Sequence, residues 1–187
     1  MFFDNYIDKS TSKVSYALIG MEKTAVYPGS FDPITNGHVD IIRRGLKIFE
    51  RIIVAVLENP KKTPLFPTKE RVRMIQEIFF DQKNIEVKSF GGLLVDFVEE
   101  NKAQVVIRGL RAVSDFEYEF QMTLMNRKLN PEIETLFMMP NIKYSFLSSN
   151  LVKEVSLLGG QLKELVPERI EEKLRQAFKR KSKTTLV

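Results

Sequence analysis

Short, uninterrupted apolar runs alternate along this 187-residue chain with longer segments whose apolar residues recur at helical spacing. Residues 52–57 form one such run, which is typical of a β-strand buried on both faces. Val39, Ile42 and Leu46 recur at intervals of three and four residues, which predicts a helix with one apolar face. Strands that alternate with helices in this way are joined by right-handed crossovers and form a parallel sheet.

The same pattern predicts the whole order of elements. Strands are predicted at residues 24–27, 52–57, 85–88, 104–107 and 135–139. A helix is predicted after each of the first four strands, and two more helices, near residues 148 and 167, follow the fifth. The predicted fold class is therefore α/β, with a Rossmann-like, doubly wound, five-stranded parallel sheet, helices on both faces and a single domain.

Polar residues at the predicted helix ends indicate where two of the helices begin. Thr68, after the proline-broken loop 59–67, is predicted to cap one helix. Ser114 and Glu117 have the spacing of a capping box, which predicts the start of a helix that runs to about Leu129. The aromatic residues Phe116, Tyr118 and Phe120 alternate along that helix and cannot all share one face. Some of them are therefore predicted to be core or subunit contacts.

Four polar segments follow predicted strands at one edge of the sheet. They are residues 28–38 after the first strand, 59–67 after the second, 108–111 after the fourth and 140–150 after the fifth. In open parallel sheets ligands bind beyond the carboxyl ends of the strands, where the strand order reverses. The four segments are therefore predicted to form one binding site.

The composition narrows the chemistry that this site can perform. The chain contains no cysteine and one histidine, which excludes disulfides and a cysteine nucleophile and disfavours a zinc site. The lack of cysteine fits a reducing compartment, so we expect a cytoplasmic protein. No apolar run approaches the ~18 residues that span a membrane, so no membrane partner is expected.

The charge distribution suggests two terminal segments outside the domain. The formal net charge is +5, and residues 179–187 carry four positive charges and no negative one. This pattern favours a solvated basic tail over an arm that binds nucleic acid. Residues 1–20 do not resemble a signal peptide and are interpreted as a loosely attached extension, or as sequence upstream of a start at Met21. The single domain is predicted to cover residues 21–178.

Residues 27–38, with the sequence Tyr-Pro-Gly-Ser-Phe-Asp-Pro-Ile-Thr-Asn-Gly-His, join the first strand to the first helix. Backbone N–H groups at a helix start suit phosphate binding, and Gly29 allows the backbone to approach a ligand closely. The Ser30 hydroxyl could contact a phosphate oxygen. His38 could donate a hydrogen bond to phosphate oxygens as negative charge builds in a transition state. The alternative is a helix cap with a surface histidine.

Two arginines follow the fourth predicted strand. Arg108 and Arg111 carry guanidinium groups, which match the geometry of phosphate oxygens and stay charged at any working pH. Their position on the same edge as Ser30 favours phosphate binding. The alternative is a surface pair that forms ion pairs with Glu117 or Glu119.

The two remaining edge segments are less specific. Lys61 and Lys62 lie in the proline-rich loop, where contact with phosphate and simple solvation are equally open from the residues alone. Ser148, Ser149 and Asn150 open a helix, so they can cap it or offer N–H groups to a triphosphate tail. Capping and phosphate binding are compatible at this helix start, because one residue can cap the helix while its neighbours bind the phosphates.

Three separated segments of the chain resemble a known family. Residues 27–38, 107–119 and 144–154 are similar to motifs of the bacterial phosphopantetheine adenylyltransferases, within the nucleotidyltransferase superfamily with a T/H-x-G-H signature. The likeness covers roughly residues 21–175 in the same order. Mild departures occur at Leu147, where isoleucine is common, at Asn150, where serine or threonine is frequent, and at Tyr144, where tryptophan is frequent.

The resemblance implies a reaction and a set of roles. It implies reversible transfer of an adenylyl group from ATP to 4′-phosphopantetheine, which gives dephospho-CoA and pyrophosphate in coenzyme A biosynthesis. It also implies a homohexamer. By resemblance, the catalytic residues are Ser30, His38 and Lys62, and spacing from the second strand favours Lys62 over Lys61 for this role. The acceptor-binding residues implied by the resemblance are Ser30, Lys62, Leu94 and Arg108. The implied ATP-binding residues are Ser30, Phe31, His38, Gly109, Leu110, Arg111, Glu119, Tyr144, Ser145, Phe146, Leu147, Ser148, Ser149 and Asn150.

The chemistry of this reaction needs few special residues. The acceptor phosphate is already ionised near neutral pH, so no general base is required, and catalysis consists of positioning and charge stabilisation. Mg²⁺ is expected to bind through the phosphates and water, with no metal held by the protein alone. Two alternatives stay open: a relative that uses another phosphorylated acceptor, such as nicotinamide mononucleotide, and a nucleic-acid-binding protein with a basic tail.

Overall fold

The computed structural model describes residues 23–58, 63–111 and 113–184, and within these the side chains of 113–115 and 180–184 are not described. The predicted extension at 1–20, both lysines of the proline-rich loop (Lys61 and Lys62) and residues 185–187 of the basic tail lie outside the described residues. None of the helices in the described part of the chain is long and apolar enough to cross a membrane.

The described residues contain one sheet of five parallel strands. The strands are β1 (Thr24–Gly29), β2 (Arg51–Leu57), β3 (Ile85–Phe90), β4 (Val105–Gly109) and β5 (Glu134–Met138). Their order across the sheet is β3-β2-β1-β4-β5, with every pairing parallel. The direction of winding reverses between β1 and β4, which confirms the doubly wound fold and places the switch point between these two strands.

The helices lie on both faces of the sheet, as predicted. They are α1 (Asn36–Gly45), α2 (Thr68–Ile78), α3 (Leu94–Glu100), α4 (Val113–Leu129), α5 (Ser149–Leu157) and α6 (Glu168–Thr184), with a 3₁₀ turn at Ile142–Tyr144. Along β2, Ile52 and Val54 belong to one core cluster, and Ile53 and Ala55 belong to a second. Because side chains alternate along a strand, the two clusters mark the two covered faces.

Each core cluster is completed by its own helices. The first contains buried side chains of α1, α2, α5 and α6, including Ile42, Ile75, Val152 and Leu174. The second contains those of α3, including Val98. The helices that carry the predicted site, α1 and α5, are therefore packed on the same face of the sheet.

Several predicted boundaries were wrong, and the structure shows why. Thr68 does not cap α2, since Pro67 occupies the cap and Thr68 is the first helical residue. Ser114 lies inside α4, which begins one residue before it, at Val113. Arg108 lies within β4 and does not follow it, because its pairing with β5 extends the strand to Gly109. Pairing with a neighbouring strand decides such ends, and local sequence does not show it.

Candidate active site

The loop between β1 and α1, residues 30–35, is called the opening loop below. It ends at Thr35, which caps α1 in an extended conformation. His38 is the third helical residue, and its Nδ1 atom accepts a hydrogen bond from the Thr35 backbone N–H at 3.0 Å. The Thr35 hydroxyl also lies 2.9 Å from Nδ1. The ring is therefore held at the start of the helix by its own cap, and Ser30 is exposed at the other end of the loop.

The hydrogen bond at Nδ1 determines which nitrogen of His38 carries the proton. A backbone N–H can only donate, so Nδ1 is the acceptor and the neutral ring carries its proton on Nε2. Burial of the ring, together with the positive charge of Arg111, lowers the pKa of His38 from 6.5 to about 4. At neutral pH the side chain is a neutral imidazole that donates from Nε2.

His38 is the one histidine of the chain, so NMR of the imidazole can test this state directly. We expect a titration midpoint near 4, against 6.5 for an ordinary histidine, and a proton on Nε2 above it. Because the folded pKa is the lower one, His38 favours the folded state above pH 6.5, and this contribution is lost as the pH falls toward 4. A midpoint at 6.5 or higher would contradict the assignment.

Aromatic side chains form the floor beneath His38. The Phe31 ring packs edge-on against His38, with 5.1 Å between centroids, and against Tyr27 at 5.5 Å. Phe31 is only 1% exposed, and its backbone has a φ of 46°, in the left-handed region. A Cβ atom on Gly29 would lie 2.9 Å from the Phe31 ring. The Phe31 side chain is therefore part of the core, which local sequence did not show.

Arg108 and Glu119 form the ion pair that the sequence left as an alternative. The Arg108 Nε atom lies 3.2 Å from Glu119 Oε2, and both side chains are largely buried. The terminal Nη1 and Nη2 atoms of Arg108 have no hydrogen-bond partner among the described residues. The two interpretations are therefore compatible, because the ion pair orients the guanidinium group and leaves its outer edge available for an anion.

Gly109, next to Arg108 in β4, packs closely against α1. A Cβ atom on Gly109 would lie 2.5 Å from Ile41 Cδ1 and 3.4 Å from the Tyr27 hydroxyl. Glycine at this position lets α1 approach β4, which brings the His38 end of α1 close to the arginines. Burial raises the pKa of the Tyr27 phenol, although Arg108 and Arg111 oppose the shift. Tyr27 is therefore an uncharged part of the floor.

Arg111 joins the segment after β4 to the segment after β5. Its Nη1 atom donates to the Leu147 carbonyl at 2.8 Å. The side chains of Leu110 and Leu147 are themselves buried. Tyr144 lies beside the start of α1, since a Cβ atom on Gly37 would be 3.5 Å from Tyr144 Cβ. One predicted ATP residue from each segment, Arg111 and Tyr144, therefore lies near the His38 end of α1.

The start of α5 confirms the capping interpretation and adds a contact. The Ser148 side chain accepts a hydrogen bond from the Leu151 N–H at 3.0 Å, so Ser148 is the cap. The Ser149 hydroxyl donates to the Pro33 carbonyl at 2.7 Å and ties α5 to the opening loop. Asn150 and Phe146 are exposed, and Ser145 donates to the Ile142 carbonyl at 2.9 Å.

The remaining predicted site residue, Leu94, is the first residue of α3. It follows β3 at the same edge of the sheet and packs against the second core cluster. Lys62 lies outside the described residues, so its predicted contact is untested. No group of three or more histidine or acidic side chains that could hold a metal ion occurs among the residues that the structure describes. The predicted site therefore holds anion-binding groups and no described metal-ligand cluster.

Two further residues of this region were missed by sequence reasoning. Asp32 is buried, and its carboxylate accepts hydrogen bonds from the backbone N–H groups of Leu65 and Phe66, each at 2.9 Å. Arg71 is also buried and donates to the carbonyls of Ser30, Leu57 and Phe66 and to the Thr68 hydroxyl. Burial lowers the pKa of Arg71, and the charges of Asp32 and Glu58 oppose this.

A sequence signal for Arg71 was present. It lies three and four residues before Met74 and Ile75, so it falls on the apolar face of α2. A charged residue on an apolar face has to find partners in the interior. For Asp32, local sequence offers no such signal, because its partners are brought in by the loop after β2.

Comparison with known proteins agrees with this geometry. A family model described as cytidylyltransferase-like matches residues 26–155. The phosphopantetheine adenylyltransferase of Clostridium botulinum (strain Langeland) is 60% identical over 148 residues, which cover 79% of this chain and 90% of the relative. That of Geotalea daltonii is 58% identical over 158 residues, which cover 84% of this chain and 98% of the relative.

A solved structure supports the fold alone. A Vibrio parahaemolyticus protein described as a nicotinate-nucleotide adenylyltransferase superposes with a TM-score of 0.62 over 82% of this chain and 91% of that chain. Its sequence identity is 13%, too low to carry a substrate across. The identity to the curated relatives over most of both chains, together with the His38 and arginine geometry, shows that this chain belongs to the phosphopantetheine adenylyltransferase family.

Proposed function

We propose that this chain transfers an adenylyl group from ATP to 4′-phosphopantetheine, giving dephospho-CoA and pyrophosphate in coenzyme A biosynthesis. The reaction is reversible. The substrate assignment is supported by relatives that are 60% and 58% identical and carry this enzyme's name. The structural observation that carries the mechanism is the orientation of His38, a neutral imidazole whose Nε2 proton lies at a helix start beside arginines.

The proposed mechanism is in-line displacement without a general base. An oxygen of the acceptor phosphate attacks the α-phosphorus of ATP, and the bond to the bridging oxygen breaks to release pyrophosphate. The acceptor is already an anion, so no proton has to be removed from it. His38 donates from Nε2 to the α-phosphate oxygens as their negative charge grows. A neutral donor suits this role, because it is available throughout the neutral pH range.

The roles proposed for the remaining residues depend on whether their side chains are buried and on which substrate they contact. Phe31, Leu110 and Leu147 are buried, so we assign their contacts with ATP to backbone groups. Ser30 and Lys62 align the acceptor with the α-phosphate, and Leu94 contacts the acceptor from the end of β3. The rest of the ATP set holds the adenine and the β- and γ-phosphates: Gly109, Arg111, Glu119, Tyr144, Ser145, Phe146, Ser148, Ser149 and Asn150.

Arg108 is proposed to hold the phosphate of the acceptor. Arg108→Ala should raise the KM of the acceptor by about tenfold or more, since a charge-assisted contact is lost, with ATP affinity within about threefold. Steady-state kinetics and ATP titration measure the two effects. Glu119→Gln is the matched variant, because it breaks the same ion pair and keeps the guanidinium group. If Arg108→Ala weakened only ATP binding, the roles of Arg108 and Arg111 would have to be exchanged.

Mg²⁺ is proposed as the cofactor, held by the phosphates of ATP and by water. The ion would screen the charge of the triphosphate. The residues described around the site fit this arrangement, since they offer donors to phosphate oxygens and no group of three potential metal ligands. Chelation should therefore abolish turnover and leave the thermal stability of the free protein unchanged.

Self-association is proposed from the surface of α4. Six large apolar side chains of this helix are exposed: Phe116, Tyr118, Phe120, Leu124, Met125 and Leu129. They lie on two faces of the helix, with Phe116, Phe120 and Leu124 on one and Tyr118, Met125 and Leu129 on the other. Exposed apolar surface of this extent marks an interaction site, and a second copy of the chain is the occupant that the resemblance implies. The number six comes from the resemblance alone. Sedimentation of the full chain tests it, and a monomeric mass at micromolar concentration would contradict it.

We place the reaction in the cytoplasm and propose no nucleic-acid or membrane partner. The chain contains no cysteine, which fits a reducing compartment. The positive charge that could attract nucleic acid is concentrated at residues 179–187, away from the proposed site in sequence. Deletion of 179–187 should leave turnover unchanged.

An acceptor screen tests the proposed function. The full chain is incubated with ATP and Mg²⁺ and with 4′-phosphopantetheine, nicotinamide mononucleotide or nicotinate mononucleotide, and pyrophosphate release is measured. We expect release with 4′-phosphopantetheine and a value of kcat/KM at least 100-fold lower with either mononucleotide, roughly the discrimination that 3 kcal/mol provides. Equal or better turnover of a mononucleotide would contradict the proposed acceptor.

A further inference from the structure

One buried carboxylate connects three segments of the proposed site. Asp32 Oδ1 accepts from the Phe66 N–H, and Oδ2 accepts from the Leu65 N–H at 2.9 Å and from Lys153 Nζ at 3.1 Å. Asp32 belongs to the opening loop, Leu65 and Phe66 to the loop after β2, and Lys153 to α5. Within the described residues, Lys153 is the one cationic side chain within ion-pair distance of Asp32.

We propose that Lys153 is a positioning residue for adenylyl transfer, which acts through Asp32 to hold the opening loop against the start of α5. The inference rests on the proposed function, because it concerns the rate of the same reaction. Neither residue belongs to the set assigned to substrate contact. Asp32 lies in the same loop as Ser30 and shortly before His38, and Lys153 lies in the helix that begins at Ser148–Asn150.

The contacts of the neighbouring residues define what this ion pair controls. The Ser149 hydroxyl donates to the Pro33 carbonyl at 2.7 Å, so the opening loop and α5 meet at two points. From the opposite side, Arg71 donates to the carbonyls of Ser30 and Phe66. The ion pair between Lys153 and Asp32 is the charged contact that fixes the position of α5 against the opening loop. Arg71 and the N–H groups of Leu65 and Phe66 instead fix the position of the opening loop against β2 and the loop that follows it.

The division of substrates across these segments makes the reaction rate the sensitive quantity. The α5 start is assigned to ATP alone, whereas the opening loop aligns the acceptor through Ser30 and leads, through Phe31 and His38, to the reacting α-phosphate. If the ion pair is lost, ATP and the acceptor still contact their own binding residues, but the α5 start and the opening loop shift relative to one another. Displacements near 1 Å lower the rate of a positioned reaction by about 100-fold while costing little binding. A loss of kcat without a loss of affinity is therefore the expected signature.

The test uses two lysine variants of the full chain. Lys153→Met keeps the length and the apolar body of the side chain and removes its charge. We expect kcat to fall about 10- to 100-fold, with the dissociation constant of ATP alone and both KM values within about threefold. Lys173→Met is the matched control, since Lys173 is equally exposed, at 26%, and pairs with Glu70 at 3.7 Å, away from the opening loop. Its kcat should stay within about twofold of the wild-type value.

A double-substitution cycle tests whether Lys153 acts through Asp32. Asp32→Asn should lower kcat, and adding Lys153→Met to it should lower kcat no further, because the partner is already lost. Lys153→Arg restores the charge and should recover most of the rate. Independent, multiplicative losses in the double variant would contradict the proposed coupling.

The outcomes separate this inference from the proposed function. No pyrophosphate release by the wild-type chain with 4′-phosphopantetheine would contradict the proposed function, and this inference with it. If Lys153→Met had the same near-wild-type kcat as Lys173→Met, that result would overturn the inference alone. So would a raised KM for ATP at unchanged kcat, which would make Lys153 a substrate contact. Unfolding of Lys153→Met under conditions where Lys173→Met stays folded would show that the ion pair is purely structural, and would overturn it as well.

Discussion

His38→Ala is expected to lower kcat by about 100- to 1,000-fold, the usual loss when one preorganised donor to a transition-state oxyanion is removed. The affinity for ATP should stay within about threefold, because the donated hydrogen bond strengthens only as charge develops. Rapid-quench or steady-state measurement of pyrophosphate at saturating substrates gives kcat, and titration of ATP alone gives the affinity. A variant with more than a tenth of the wild-type kcat would contradict the assigned role.

The control for His38→Ala must disturb the helix cap and keep the imidazole. Thr35→Ala does this, since it removes the hydroxyl that lies 2.9 Å from Nδ1 and leaves the backbone donor in place. We expect a loss of kcat of no more than about tenfold and a loss of stability near 1 kcal/mol, as for other caps. If both variants lost kcat equally, the contribution of His38 would be that of a cap.

Arg71→Leu is expected to reduce the free energy of unfolding by about 3 kcal/mol. The substitution strands the carbonyls of Ser30, Leu57 and Phe66, each of which costs about 1 kcal/mol or more when it is buried without a donor. Urea denaturation measures the change. Arg71→Lys should recover only a small part of it, because one ammonium group cannot reproduce a planar set of donors.

Arg73→Leu in the same helix is the control for this variant. Arg73 is 75% exposed and pairs with Glu77 four residues later, so the expected change is within about 0.5 kcal/mol. Equal destabilisation by the two substitutions would show that the effect comes from charge or helix propensity. It would then say nothing about the carbonyls of Ser30, Leu57 and Phe66.

Much of the fold was predictable because its signals are local. The apolar run of β2 identified a strand buried on both faces, and the structure places its alternate residues in two separate cores. The end of α4 at Leu129 was also predicted. The starts of α2 and α4 were wrong, because Thr68 and Ser114 have the residue types of a cap while the backbone places them inside the helix.

The roles of the candidate site residues stay predictions, and the sequence did not show how their side chains are oriented. The structure places Arg111 near enough to His38 for its charge to act on the imidazole, and it pairs Arg108 with Glu119. Sequence could not show that the Phe31 and Leu147 side chains turn into the core, since both are apolar residues within a polar motif. It also could not choose between phosphate binding and the ion pair for Arg108. The structure shows that the ion pair uses only one edge of the guanidinium group.

The sequence by itself determined the alternation of elements, the edge of the sheet at which the polar segments meet and the family to which the motifs belong. These follow from periodicity and from short motifs, which are properties of neighbouring residues. Only the tertiary structure decided the protonated nitrogen of His38 and the partners of Asp32, Arg71 and Lys153. Asp32 and Lys153 are 121 positions apart in the chain, and a hydrogen bond or ion pair over such a separation depends on how the helices pack on the sheet.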